Sequence, residues 1–184
     1  MTHTKTLPAR FGPLAFTLSA AAALMAIPAS AQLAEGTVAP AFTTQAAMAG
    51  RDMGFSLQAA LRQGPVVLYF YPKAFTQGCT LEANAFAEAM PEFREAGASV
   101  IGMSNDDIAT LRRFSSEECR DAFPVGVASE RLIAAYDVAL GNSGLSSRTS
   151  YVIAPDGRIA YVYSDGDYRE HVERTLTAVR ALSD

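Results

Sequence analysis

Metal-ligating side chains are scarce in this sequence, which has two histidines and two cysteines in 184 residues. His3 and His171 stand at opposite ends of the chain. That is too few imidazoles and thiols for a zinc site, and no Cys-x-x-Cys-His run offers a haem attachment point. The chain is therefore read as needing no cofactor. Basic clusters are missing as well. With 15 basic against 19 acidic residues, a formal charge of −4 and an isoelectric point near 5.2, nothing resembles the Lys/Arg patch that holds nucleic-acid phosphates. No Cys-x-x-Cys pair is present, because the residue three after Cys79 is Glu82. Outside residues 1–31 there is no low-complexity tract, no internal repeat and no sign of a second domain.

What is present is ordinary for a packed domain, at 49% hydrophobic and 18% charged residues. The first residues form a separate unit. Lys5 and Arg10 make a basic start, residues 11–27 are apolar and Ala-rich, and Ala29-Ser30-Ala31 fits a small-x-small cleavage pattern. Residues 1–31 are expected to be a signal peptide cleaved before Gln32, leaving a domain over residues 32–184 that is periplasmic or secreted. A retained anchor is the weaker alternative, because Gly12, Pro13, Thr17 and Ser19 interrupt the apolar run. Both cysteines, Cys79 and Cys119, lie after this leader. In an exported protein two thiols commonly form one disulfide, and the count alone leaves open whether such a bridge is static or cycles.

The chain is organised around residues 66–80. Val66 to Tyr71 are apolar, β-branched or aromatic, with no turn residue among them, which predicts a strand buried on both faces. Pro72 stops it. A loop then leads to Cys79, and the helical pattern that follows places the thiol at a helix start, where free N–H groups and the helix dipole favour a thiolate. A small buried hydrophobe is the bland alternative for any lone Cys. Leu81, Ala85, Phe86, Ala89, Met90 and Phe93 are expected to form the apolar stripe of that helix.

Around this centre, residues 42–45 read as a short edge strand and residues 55–57 as a second. Residues 99–104 read as a strand, after which Asn105 or Asp106 caps a helix with Cys119 at its frayed end. Residues 123–127 and 132–136 read as a strand and a short helix. Residues 151–153 and 159–163 flank the hairpin signal Ala154-Pro155-Asp156-Gly157, and residues 168–182 close the chain as an amphipathic helix. His171, alone on that helix, reads as surface.

Pro72, Thr76 and Cys79 resemble the Pro-x-x-x-Thr-x-x-Cys signature of peroxiredoxins, and Tyr-Pro-Lys before it with Gly-Cys-Thr-x-Glu after it is similar to the PrxQ, or bacterioferritin-comigratory, branch. Gly36, Ala39, Pro40 and Phe42 resemble the family's opening, and the run from Arg148 to Gly157 resembles its Arg-containing segment. With strand–helix alternation, a hairpin and a terminal helix, the chain is expected to form a thioredoxin-like α/β fold, a central mixed sheet with helices on both sides.

The resemblance implies a thiol peroxidase acting on hydrogen peroxide and organic hydroperoxides. It implies Cys79 as the attacking thiol, Thr76 as a hydroxyl partner to the sulfur and bound peroxide, Pro72 as a shield, and Arg148 as the cation beside the sulfur. Cys119 becomes the candidate resolving thiol, since Asn84 stands where many such chains carry it. Ala74 and Gln77 depart from the branch, which often has an acidic residue and a Pro there. The implied partners are a peroxide and a thioredoxin-like dithiol reductant, with no nucleic acid, no stable membrane insertion after cleavage, and a monomer or weak homodimer. Glu82 matches a family position, and a helix-start charge explains it equally well. Two alternatives remain: a thioredoxin-type disulfide exchanger, weakened by the missing Cys-x-x-Cys, and a non-enzymatic exported domain stapled by a Cys79–Cys119 disulfide.

Overall fold

The computed structural model describes residues 1–3 and 32–182, so residues 4–31 of the expected leader, with its cleavage point, lie outside the described residues. β3 (Val66–Phe70) is the centre of the described residues, and each of its side chains is buried. It runs parallel to β4 (Ser99–Ser104) on one edge and antiparallel to β6 (Thr149–Ile153) on the other. The whole sheet has the order β2 (Arg51–Ser56), β1 (Thr43–Met48), β5 (Val125–Val127), β4, β3, β6, β7 (Ile159–Ser164).

Strand alternation sends β3 side chains to two cores. Val67 and Tyr69, with Tyr71 just beyond, join Cys79, Phe86, Phe114, Cys119 and Leu176. Val66, Leu68 and Phe70 join Leu57, Leu61, Leu132 and Ile133. The first core is covered by α2 (Gln77–Glu95), α3 (Ile108–Glu117) and α5 (His171–Arg180), the second by α1 (Leu57–Leu61) and α4 (Glu130–Ala135). Burying one large apolar side chain stabilises a domain by about 1.5–3 kcal/mol, so a strand apolar on both faces has to be sandwiched. The mixed sheet with helices on both sides is the one expected from the sequence.

Several local expectations are corrected. Residues 42–45 do not form an edge, because β2 pairs outside β1 along its full length. The turn joining them places Ala49 and Gly50 at φ of 51° and 70°, the two left-handed residues of a tight hairpin. Ala gives no hint of such a turn, and β2 is almost wholly exposed, so neither turn chemistry nor alternation marks it. The N-cap of α3 is Asp107, whose Oδ1 accepts from the Thr110 N–H at 2.8 Å, and not Asn105 or Asp106. Leu81 is exposed. The buried stripe of α2 runs through Cys79, Glu82, Ala83, Phe86, Met90 and Phe93, which puts a carboxylate inside an apolar face. The hairpin at Ala154-Pro155-Asp156-Gly157 is as expected, closed by the Gly157 N–H donating to the Ala154 carbonyl at 2.8 Å.

Candidate active site

Two neighbouring strand ends build the site. β3 ends at Phe70, opposite Thr149 of β6, so the loop after β3 and Arg148, just before β6, meet at one end of the sheet. Pro72 cannot donate to a ladder and releases the chain. Asp106 pins the loop: its Oδ2 accepts from the Ala74 N–H at 2.8 Å and from the Ser104 hydroxyl at 2.9 Å, and its Oδ1 lies 3.5 Å from Lys73 Nζ. The first turn of α2 starts at Gln77 with Thr76 as N-cap, so Cys79 stands at a helix start as the sequence suggested. Cys79 is the third helical residue, among the backbone N–H groups that lack helical partners.

Cys79 is buried, 2% exposed, and Arg148 Nη2 donates toward its Sγ at 3.4 Å. The same guanidinium donates through Nη1 to Glu82 Oε2 and through Nε to the Gly166 carbonyl at 3.1 Å. Its fork is therefore fully committed and its direction fixed. Gly78 permits this approach, since a Cβ there would lie 3.1 Å from Arg148 Nη2. Burial works against the charge of Arg148, but Glu82 and Cys79 outweigh it and raise its pKa. Glu82 is completely buried, and burial, opposed by Arg148, pushes its carboxyl up to about 8.

Thr76 is exposed, and its hydroxyl donates to the Lys73 carbonyl at 2.9 Å. It closes the loop on itself, and its proton is turned away from the sulfur. Pro72 is half-buried and lines a cleft of about 350 Å³ with Leu140, Ser147, Arg148, Ser164, Asp165 and Gly166. Arg148 thus touches the buried sulfur on one side and this cleft on the other.

Cys119 follows the C-cap of α3 and is completely buried, not frayed. Both thiols are free and belong to one core, with Tyr69, Tyr71 and Phe114. Burial pushes the Cys119 thiol far up, and Glu118 and Asp121 add to this. Its segment is tied down but strained. The Cys119 N–H donates to the Phe114 carbonyl at 3.0 Å. Asn84 Nδ2, on α2, donates to Glu118 Oε2 at 3.1 Å. Arg120 and Asp121 then take φ of 51° and 57°, a costly conformation for two successive residues with side chains.

Sequence reasoning missed His171. It is completely buried, not a surface residue. Its Nδ1 lies 2.8 Å from Ser150 Oγ, its Nε2 faces the Asp165 carbonyl at 3.1 Å, and Nδ1 is 3.8 Å from Glu82 Oε1. Nothing in its own neighbourhood in the sequence announces this. Glu82 did carry a signal, since it falls in phase with Phe86, Met90 and Phe93 on the buried stripe. Among the described residues no three His, Cys, Asp or Glu side chains converge to hold a metal.

The chain is similar to known proteins in sequence and in fold. The family profile of the AhpC/TSA family matches residues 36–162. A chloroplastic peroxiredoxin Q of Oryza sativa subsp. japonica is 30% identical, over 94% of this chain and 82% of that protein. The crystal structure of peroxidoxin BcpB from Mycobacterium tuberculosis is similar at a TM-score of 0.73 and 32% identity, over 80% of this chain and 97% of that one. A bacterioferritin comigratory protein of Xanthomonas campestris, studied for alkyl peroxide reduction in trapped intermediate and ligand complexes, matches at a TM-score of 0.67 and 28% identity, over 76% of this chain and 92% of that one.

Proposed function

The chain belongs to the AhpC/TSA family and is a peroxiredoxin of the Q/Bcp kind, a thiol peroxidase, and from that membership we propose that Cys79 attacks the peroxide, Cys119 resolves the oxidised sulfur and a thioredoxin-like dithiol restores both. The single observation that carries the assignment of Cys79 is Arg148 Nη2 at 3.4 Å from its sulfur, at the start of a helix. A fixed cation and free helix N–H groups both favour negative charge there.

In the first step the Cys79 thiolate attacks the nearer peroxide oxygen. The O–O bond breaks, a sulfenic acid forms, and the leaving alkoxide or hydroxide takes a proton from water. Arg148 faces the charge as it moves from sulfur to oxygen. Pro72 limits the access of water, and Thr76 fixes the loop and offers its hydroxyl oxygen to the bound peroxide. In the second step the Cys119 thiolate attacks the sulfenic sulfur, and a disulfide forms with release of water. Burial opposes ionisation of the Cys119 thiol, so the segment from Ser116 to Ala122 leaves the core to form the attacking thiolate, and a disulfide then needs the two Cα atoms within about 7 Å. The strained Arg120–Asp121 pair supports that movement. An external dithiol then reduces the disulfide by exchange.

The cleft beside Arg148, with Leu140 and Pro72 on its wall, supports organic hydroperoxides as substrates alongside hydrogen peroxide. Residues 1–31 support export to the periplasm or beyond, with the working protein a monomer or weak homodimer. The test is a mass spectrum of the prereduced protein after one equivalent of hydrogen peroxide, with thiol trapping. Loss of two hydrogens with both cysteines blocked is the expected result. A sulfenic adduct on Cys79 with Cys119 still free would transfer resolution to an outside thiol, and no reaction at Cys79 would overturn the assignment.

A further inference from the structure

The ion pair behind the sulfur is incomplete. Glu82 gives Oε2 to Arg148, but its Oε1 is buried with no hydrogen-bond partner among the described residues. A buried carboxylate oxygen without a donor costs about 1–3 kcal/mol or more, so the atom invites either a proton or a donor. His171 Nδ1 lies 3.8 Å from this atom. Because Nε2 of that ring faces a backbone carbonyl, Nε2 carries hydrogen. In the neutral ring Nδ1 is then an acceptor, taking the Ser150 hydroxyl proton. A neutral His171 offers Oε1 nothing. One added proton neutralises Glu82 if it sits on Oε1, or sets a cation 3.8 Å from it if it sits on Nδ1.

The charges around this pair are few. Arg148 faces it from the start of β6, Cys79 from the same helix, and the buried Tyr69 hydroxyl from β3. Asp165 and Asp167 lie in the loop before α5, and the Tyr163 ring of β7 stands edge-on to His171 at 4.7 Å. Glu170 and Arg174 of α5 sit on the outer side of that Tyr163 ring. With the thiol protonated, Arg148 and ionised Glu82 cancel. With the thiolate formed, the buried group would carry one net negative charge unless a proton arrives.

We propose that Glu82 and His171 hold one proton between them, taken up as Cys79 loses its own, so that the charge of Arg148 is left to the thiolate. His171 is thus a positioning residue for the attacking sulfur, acting through Glu82 and Arg148 without touching substrate. The exchange is balanced: the thiol gives its proton to solvent and the pair takes one from solvent. Burial disfavours charge on both groups, pushing the Glu82 carboxyl up and the His171 ring down, so a proton that reaches the pair rests on Glu82. The inference rests on Cys79 as the reacting thiol, and peroxide consumption by the same samples tests that assignment separately.

The experiment is the pH profile of Cys79 alkylation by iodoacetamide in a Cys119→Ser background. Glu82→Gln leaves Arg148 unopposed at every pH, whereas His171→Gln supplies a permanent donor that keeps Glu82 ionised. Near pH 8, where Glu82 loses its proton, the first is expected to alkylate ~3-fold faster and the second ~3-fold slower, a half-unit displacement in opposite directions. Shifts in the same direction, or none, overturn the proposal. A measurement without variants at the pair guards against misfolding: the carboxyl carbon of Glu82 and the ring nitrogens of His171 are followed by NMR with Cys79 free and then blocked by iodoacetamide. Blocking removes the sulfur's charge and should move the titration of both groups together to lower pH, and an unchanged midpoint overturns the proposal. Opposite displacements in a protein that consumes no peroxide would support the proton pair while removing Cys79 as the peroxidase nucleophile.

Discussion

Arg148 reaches Cys79 across 69 residues of sequence, with Nη2 at 3.4 Å from the sulfur, because the antiparallel pairing of β3 with β6 sets the end of one strand beside the start of the other. Loss of this one donor is expected to be severe. Arg148→Ala should slow peroxide reduction by roughly 100- to 1,000-fold, the usual cost of removing a preorganised donor from a developing charge. Arg148→Lys should recover only part of the rate, since an ammonium cannot hold Cys79, Glu82 and Gly166 at once. Stopped-flow peroxide consumption measures both.

Gly78→Ala separates stability from activity. In the first turn of α2 the change should keep or improve stability, by up to ~1 kcal/mol from helix propensity. The added Cβ would sit 3.1 Å from Arg148 Nη2 and push the guanidinium off the sulfur. A rate about ten-fold lower is expected from so small a misplacement. A thermal melt beside the peroxidase assay reads the two effects, and an unchanged rate would show that the guanidinium adjusts freely.

Cys79→Ser should abolish peroxide consumption, while Cys119→Ser should permit one turnover and leave a sulfenic acid that dimedone traps. Continued cycling by Cys119→Ser with the dithiol donor would move resolution to another thiol.

Asn84→Ala removes the bond from α2 to Glu118, next to Cys119. In the proposed cycle Cys119 leaves the core before it resolves, so a weaker tie should speed disulfide formation, by about 5-fold for a bond worth ~1 kcal/mol. The rate of the first step should not change. Intrinsic fluorescence and quenched mass spectra separate the two steps.

The buried pair also sets a pH dependence of stability. Glu82, raised from 4.5 to about 8, binds its proton more tightly when folded, so its contribution is full below pH 4.5 and lost as pH rises through 8. His171, lowered from 6.5 to about 4, contributes above pH 6.5 and loses this as pH falls through 4. Between pH 4.5 and 6.5 the two slopes cancel. Stability should therefore be level there and fall toward pH 8, by up to about 2 kcal/mol at one proton's slope. Glu82→Gln should flatten the alkaline fall and His171→Gln the acid one, as urea unfolding at pH 4, 5.5 and 8 would show.

Most of the frame was legible. β3 announced itself because a strand buried on both faces has to be apolar throughout, and the Pro-Asp-Gly hairpin because its backbone demands those residues. β2 was misread because an exposed edge strand needs no apolar alternation, and its turn uses Ala49 in a conformation that sequence does not mark.

The site divides in the same way. Pro72, Thr76 and Arg148 were named from the resemblance to peroxiredoxins, and Cys79 also from its place at a helix start. Only the tertiary structure decided that Thr76 turns its hydroxyl proton to Lys73, that Cys119 is locked in the core, and that His171 lies beneath Glu82. These are contacts between segments far apart in the chain, and whether a polar side chain is buried depends on what the rest of the fold lays over it. The sequence by itself determined that Cys79 stands at a helix start, since that follows from local backbone chemistry. The charges that surround that thiol were decided by packing.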